Sequence, residues 1–178
     1  AAKADGTQPF GRMTAFHGQM GMFVRALAYM MSHGSDGLRQ VAEDAVLNAN
    51  YVLASLKDDM SAPFEGPCMH EALFDDRFLK GTGVETLDFA KAMIDEGYHP
   101  MTMYFPLVVH GAMLVEPTET ESKAALDQVI MALRSVAGRA KAGDETLKTA
   151  PHYAPRRRLD ETQAARKPVL AWNDPDMA

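Results

Sequence analysis

Thiol chemistry is almost absent from this chain, which carries a single cysteine, Cys68. One cysteine cannot form an internal disulfide, so nothing in its usage implies secretion. Its position at the start of a short apolar segment points to a buried, inert thiol rather than a nucleophile. Long hydrophobic runs are also missing: runs such as those around Phe105 to Val109 and Ala112 to Val115 fall well short of the ~20 apolar residues that a membrane-spanning helix needs. Residues 1–15 lack the continuous apolar stretch of a signal peptide. A cytosolic protein with no membrane partner is the resulting expectation. Positive charge is scarce as well, with 18 basic against 24 acidic residues and a net charge of -6 spread along the chain. Phosphate backbones require a concentrated positive field, so a nucleic-acid partner is not expected. The one basic cluster, Arg156-Arg157-Arg158, reads as a solvated or subunit-facing stretch. Finally, there is no GxSxG elbow, no GxGxxG loop and no GxxxxGK loop, which removes the usual signatures of autonomous nucleophilic or nucleotide chemistry.

What is present is the material of one domain, with a possible appendage. A chain of 178 residues with a 47% hydrophobic fraction can own a core without disulfides or metal. From Phe16 to Met31 the apolar residues Met20, Phe23, Val24, Leu27 and Met31 return at helical spacing, and Gly34 stops the run. Ser35 or Asp36 can cap a second helix whose stripe runs through Leu38, Val41, Ala45, Ala49, Val52 and Leu56. Asn48 and Asn50 lie off that stripe. After a loop over residues 58–67, broken by Pro63, Gly66 and Pro67, the segment Cys68 to Phe74 is expected as a strand. Thr82 with Glu85 gives a capping box for a helix ending at Gly97. Met103 to Val109 and Ala112 to Val115 read as two strands, with Pro106 forcing the first to an edge or interrupting it. Thr118 with Glu121 gives a second capping box, for a helix burying Leu126, Val129, Ile130, Leu133 and Val136. Beyond Gly143 periodicity is lost, and Pro151, Pro155, Pro168 and Pro175 mark an extended tail. The middle of the chain therefore predicts an α/β fold, a small sheet covered by helices.

The histidines are the first candidates for chemistry. His17, His70, His99, His110 and His152 are scattered, and no pair has the helical spacing of a zinc site, so a metal site is not expected, although distance in sequence does not exclude convergence in space. His99-Pro100 precedes a predicted strand, where a rigid loop can hold an imidazole against a ligand. His17-Gly18 stands at a helix start, where free N–H groups favour an anion. His70 and Glu71 are neighbours in an expected strand, hence on opposite faces, and are not taken as a pair.

Longer stretches carry a family resemblance. Gly97-Tyr98-His99-Pro100-Met101-Thr102-Met103-Tyr104-Phe105-Pro106 and Val109-His110-Gly111-Ala112-Met113-Leu114-Val115-Glu116-Pro117-Thr118-Glu119-Thr120-Glu121-Ser122 resemble the second subunit of the two-subunit glycine dehydrogenase (decarboxylating), the P-protein of the glycine cleavage system. Phe10-Gly11-Arg12 through Phe16-His17-Gly18, the segment Glu43 to Tyr51, Met69-His70-Glu71, Ala150-Pro151-His152 and Arg157 to Glu161 extend it along nearly the whole chain, in order. Met101 stands where relatives more often have a second proline.

The resemblance implies the small carboxy-terminal domain of a type I, aspartate aminotransferase-like, pyridoxal-phosphate enzyme, with a small and mostly antiparallel sheet. It implies residues 1–15 as lead-in from a large domain, 16–57 as linking helices, 58–142 as the small α/β domain and 143–178 as tail. The absence of an initiating methionine agrees with an excised or processed segment. The family's cofactor lysine follows a histidine upstream, and no lysine here has that context, so no catalytic residue and no bound pyridoxal phosphate are expected in this piece alone. His17 is implied as cofactor-approaching, His70, His99 and Thr102 as substrate-facing, and Arg156, Arg157 and Arg158 as partner contacts. The implied partners are glycine dehydrogenase subunit 1, in a hetero-oligomer, and the lipoyl carrier H-protein. Two alternatives remain open: the corresponding domain of another type I enzyme, and a non-catalytic carrier-binding or regulatory module.

Overall fold

The computed structural model describes residues 17–169, which fall into two compact units meeting in sequence between Val41 and Ala42. The expected lead-in, residues 1–15, and the end of the tail lie outside the described residues.

The first unit holds the opening of helix α1 (Met20–Leu56). Gly34 leaves helical geometry there, with φ at 64° and ψ at -174°. A residue without Cβ adopts that conformation at little steric cost, and the two helices expected on either side of it meet at this kink. The face formed by Met20, Phe23, Val24, Leu27 and Met31 is at least 53% exposed at every position. The spacing placed these side chains together correctly, but the described residues do not bury them.

The second unit is built on the remainder of α1, whose Ala49, Val52 and Leu56 are fully buried. This part of the helix contributes to the core of the second unit. Three short strands follow: β1 (Ala72–Phe74), β2 (Thr102–Met103) and β3 (Met113–Val115). They form one antiparallel sheet in the order β1-β3-β2, with Ala72 opposite Val115 and Thr102 opposite Leu114. Helices α2 (Thr86–Asp95) and α3 (Lys123–Lys141) pack with the sheet around Phe74, Phe89, Met93, Met113, Leu133 and Val136. Phe78 meets Phe89 edge-on at 5.6 Å, within the range that aromatic pairs favour.

Each strand is shorter than its apolar pattern suggested, for identifiable reasons. Cys68 does not enter the ladder because the Asn50 side chain takes both its backbone groups: the amide donates to the Cys68 carbonyl at 2.7 Å, and the Cys68 N–H donates to the Asn50 oxygen at 2.9 Å. Strand β2 stops at Met103, since Tyr104 has a φ of 58° and Pro106 has no N–H to offer a neighbour. Leu107 and Val108, expected within a strand, are exposed in the turn that follows.

Both helix starts also shift from their expected positions. Glu85, not Thr82, is the N-cap of α2, and its N–H donates to the Asp88 carboxylate at 2.9 Å. Thr82 instead closes the preceding turn, donating to the Leu79 carbonyl and accepting from the Val84 N–H. Ser122 caps α3 by accepting the Ala125 N–H. Thr118 and Glu121 sit in a turn whose carbonyls are both held by the Asn48 amide, which keeps the backbone there from entering the helix. The tail is not uniformly extended either: a 3-10 turn over Glu145–Thr149 buries Leu147 completely, and α4 (Glu161–Arg166) is a short helix capped by Asp160.

Candidate functional site

Polar residues gather around two clefts of the second unit, both lined in part by Leu114. The first has a volume of about 500 Å³, with His99, Thr102, Glu116 and Glu121 among its polar lining and Met93 and Val129 among its apolar residues. Its geometry starts with the end of α2. Gly97 has a φ of 87°, the Tyr98 N–H donates to the Met93 carbonyl at 3.0 Å, and the Gly97 N–H donates to Ile94 at 3.0 Å. This paired closure after a left-handed residue is the Schellman ending of a helix. It turns the chain so that His99-Pro100 enters β2, with Thr102 set opposite Leu114. His99 and Thr102 therefore share one cleft, while both remain exposed.

The second cleft, of about 440 Å³, is lined by Leu53, Phe64, Met69, His70, Glu71 and Phe105 among others. His70 and Glu71, expected within a strand, both precede β1, which begins only at Ala72. One ligand atom from each of His70, Glu71 and Glu116 lies within 4.8 Å of the others. Glu71 directly precedes β1 and Glu116 directly follows β3, next to the Ala72–Val115 pair that ends the ladder. Sequence spacing did not reveal this trio. Correct strand boundaries would have been needed first, since only the antiparallel register joins residues so far apart.

His17 lies exposed in the first unit. In the basic cluster, Arg156 and Arg157 are exposed, but Arg158 is engaged within the chain. Its guanidinium pairs with Asp88 at 2.7 Å and donates to the carbonyls of Ala150 and Leu147. The tail has a second anchor in Asp95, whose carboxylate accepts the N–H groups of His152 and Tyr153 at 2.7 and 2.9 Å. Burial alone would raise the Asp95 carboxyl, but those backbone bonds and the His152 ring overcome it and hold the group below its usual range. Burial pushes the Cys68 thiol up, against the small lowering effect of its own backbone, which leaves less thiolate for nucleophilic attack. Tyr104 is likewise raised, first by burial and then by the carboxylates of Glu85, Asp88 and Asp76, despite its hydrogen bond with the Leu87 backbone.

The lining of the first cleft contains no lysine or arginine. A phosphate-bearing aldehyde cofactor needs an amine to hold it and cationic or N–H groups around its phosphate. Glu116 and Glu121 offer the opposite charge, so these residues by themselves do not fit pyridoxal phosphate. Their chemistry suits binding and orientation: an imidazole, several hydroxyls and two carboxylates beside apolar side chains. Among the described residues no helix is long and apolar enough to cross a membrane.

Comparison with known proteins gives these clefts a family context. The family described as "Glycine dehydrogenase, C-terminal domain" matches residues 41–152. The chain is 76% identical over 174 residues to the probable glycine dehydrogenase (decarboxylating) subunit 2 of Caulobacter vibrioides, covering 97% of this chain and 33% of that protein. It is 46% identical over 169 residues to the protein of the same description from Shouchella clausii, covering 95% and 34%, and 48% identical over 171 residues to that from Bacillus cytotoxicus, covering 96% and 35%. The chain thus spans about a third of the length of these relatives. With the family match covering the α1 core segment, the sheet, both packed helices and the tail contact between His152 and Asp95, the chain belongs to the glycine dehydrogenase C-terminal domain family.

Proposed function

We propose that this chain serves as the carboxy-terminal part of a pyridoxal-phosphate-dependent glycine decarboxylase, the second subunit of the glycine cleavage P-protein. In this reading, the whole enzyme removes carbon dioxide from glycine and passes the aminomethyl group to the lipoyl group of the H-protein, with subunit 1 as its partner in a cytosolic hetero-oligomer. The observation that carries it is collinearity: 76% identity runs through 174 residues without being confined to one motif. The cofactor, when bound in the whole enzyme, supplies the electron sink for loss of carboxylate.

This chain's residues shape and position in that scheme. His99 and Thr102, sharing a cleft, face the substrate side, and His70 faces the neighbouring cleft. His17 approaches the cofactor, and Arg156 and Arg157 make partner contacts. Arg158 has its charge committed to Asp88 and would contribute to that surface by fixing the tail. The domain is that of a type I enzyme, and the 178 residues alone are inactive because no lysine stands in the His-Lys context of the family.

The test compares the purified chain with a full-length subunit 2 in which this sequence replaces the matching third, each with subunit 1, H-protein and cofactor. Glycine-dependent carbon dioxide release is expected only from the full-length form, and Thr102→Val there should lower kcat/KM by about tenfold or more, as expected for losing a polar group that orients substrate. Turnover by the isolated chain that disappears on substituting one of its own lysines would overturn this reading.

A further inference from the structure

We propose that His70, Glu71 and Glu116 form a binding site for a divalent first-row transition ion of the zinc class. It stands independently of the catalytic reading above. Three side chains from two separate segments converge at one end of the sheet, each with a donor atom within 4.8 Å of the other two. An ion with bonds of about 2.1 Å holds tetrahedral ligands about 3.4 Å apart, so modest side-chain rotation closes the remaining gap. His70 and Glu116 are exposed and Glu71 is half-buried, which leaves them room for that rotation.

The electrostatics point the same way. Glu71 and Glu116 each present a carboxylate oxygen within 4.8 Å of the other, and like charges at that distance repel. Among the described residues no lysine or arginine forms an ion pair with either one. A bound dication would remove the repulsion and tie the entry of β1 to the exit of β3. The imidazole nitrogen determines which ion: nitrogen favours zinc and its neighbours, whereas magnesium and calcium prefer an all-oxygen shell. Three protein ligands leave at least one coordination position for water or an added ligand.

Isothermal titration of zinc chloride into the full chain, free of any polyhistidine tag and stripped with chelator, tests the proposal. One zinc ion per chain is expected, with weaker binding of manganese and none of magnesium at the same concentrations. Removing a group that merely supports a ligand costs roughly 10- to 100-fold in metal affinity, so H70Q and E116Q should each weaken zinc by at least about tenfold. Zinc should also raise the thermal midpoint of the unmodified chain, and raise that of E116Q by less at the same zinc concentration. Circular dichroism confirms that each exposed-site variant is folded. Absence of saturable zinc binding would overturn the proposal, as would binding that survives both substitutions, since the ion would then sit on other residues.

Discussion

Gly111 shows how much one residue decides. Its φ is 58°, and a Cβ built there would overlap the side chain of Asp76. The same glycine's carbonyl accepts the buried Thr86 hydroxyl at 2.9 Å, and the adjacent His110 ring meets Asp76 at 2.9 Å, so the backbone has little freedom to move away. Gly111→Ala is expected to lower stability by about 2–3 kcal/mol, combining left-handed strain with overpacking, measured as a fall in urea midpoint at constant slope. The arginine cluster divides in the same manner. Arg158→Met removes the bond to Asp88 and two carbonyl contacts and should cost about 2 kcal/mol, while Arg157→Met, at an exposed position, should stay within about 0.5 kcal/mol. Three adjacent arginines look alike in sequence, because only the fold shows which one reaches a carboxylate. Asn48 and Asn50 were opaque for the same reason. Their partners lie 70 and 18 positions away, and a residue off an apolar stripe carries no mark of a distant carbonyl.

At the level of elements, apolar periodicity located α2 and α3 but not their first residues. Burial of Phe89, Met93, Leu133 and Val136 depends on a repeat spread over many positions, which survives local error. A cap depends on one side chain with several competing partners, as Thr82 and Thr118 both show. The strands were the least legible part, since two or three residues are too few to display alternation. The exit of α3 has a titratable closure: Asp144 accepts from Thr146 and from Arg139, which also pairs with Glu96. Those bonds, Thr146 first and Arg139 next, lower its carboxyl to about 2 from an ordinary 3.8. A depressed carboxyl contributes stability that is fully present above the unfolded value and fades as pH falls through the folded one. Asp144→Asn should therefore be less stable than the parent at neutral pH, with the difference shrinking from pH 3.8 toward about 2. Chemical denaturation of both proteins across that window reads the convergence, and a constant gap down to the acid end would contradict the assignment.

The division at Val41 makes a claim about the molecule as a whole. Residues 17–36 are exposed throughout, whereas the buried part of α1 begins only at Ala49 and continues through Val52 and Leu56. Cooperative unfolding follows buried contacts, so the second unit should hold its stability without the first. A chain starting at Ala42 is expected to keep the urea midpoint and slope of the full chain, losing helical signal only in proportion to the residues removed. The complementary stretch, residues 20–41, is broken by Gly34 into segments short enough that isolated helix is marginal in water, where roughly 15 residues are needed even for favourable sequences. Its peptide should give little helical signal alone. A large fall in midpoint on truncation would mean that the opening of α1 contributes to the cooperative core. Retention of the midpoint would instead confine the cooperative core to the second unit.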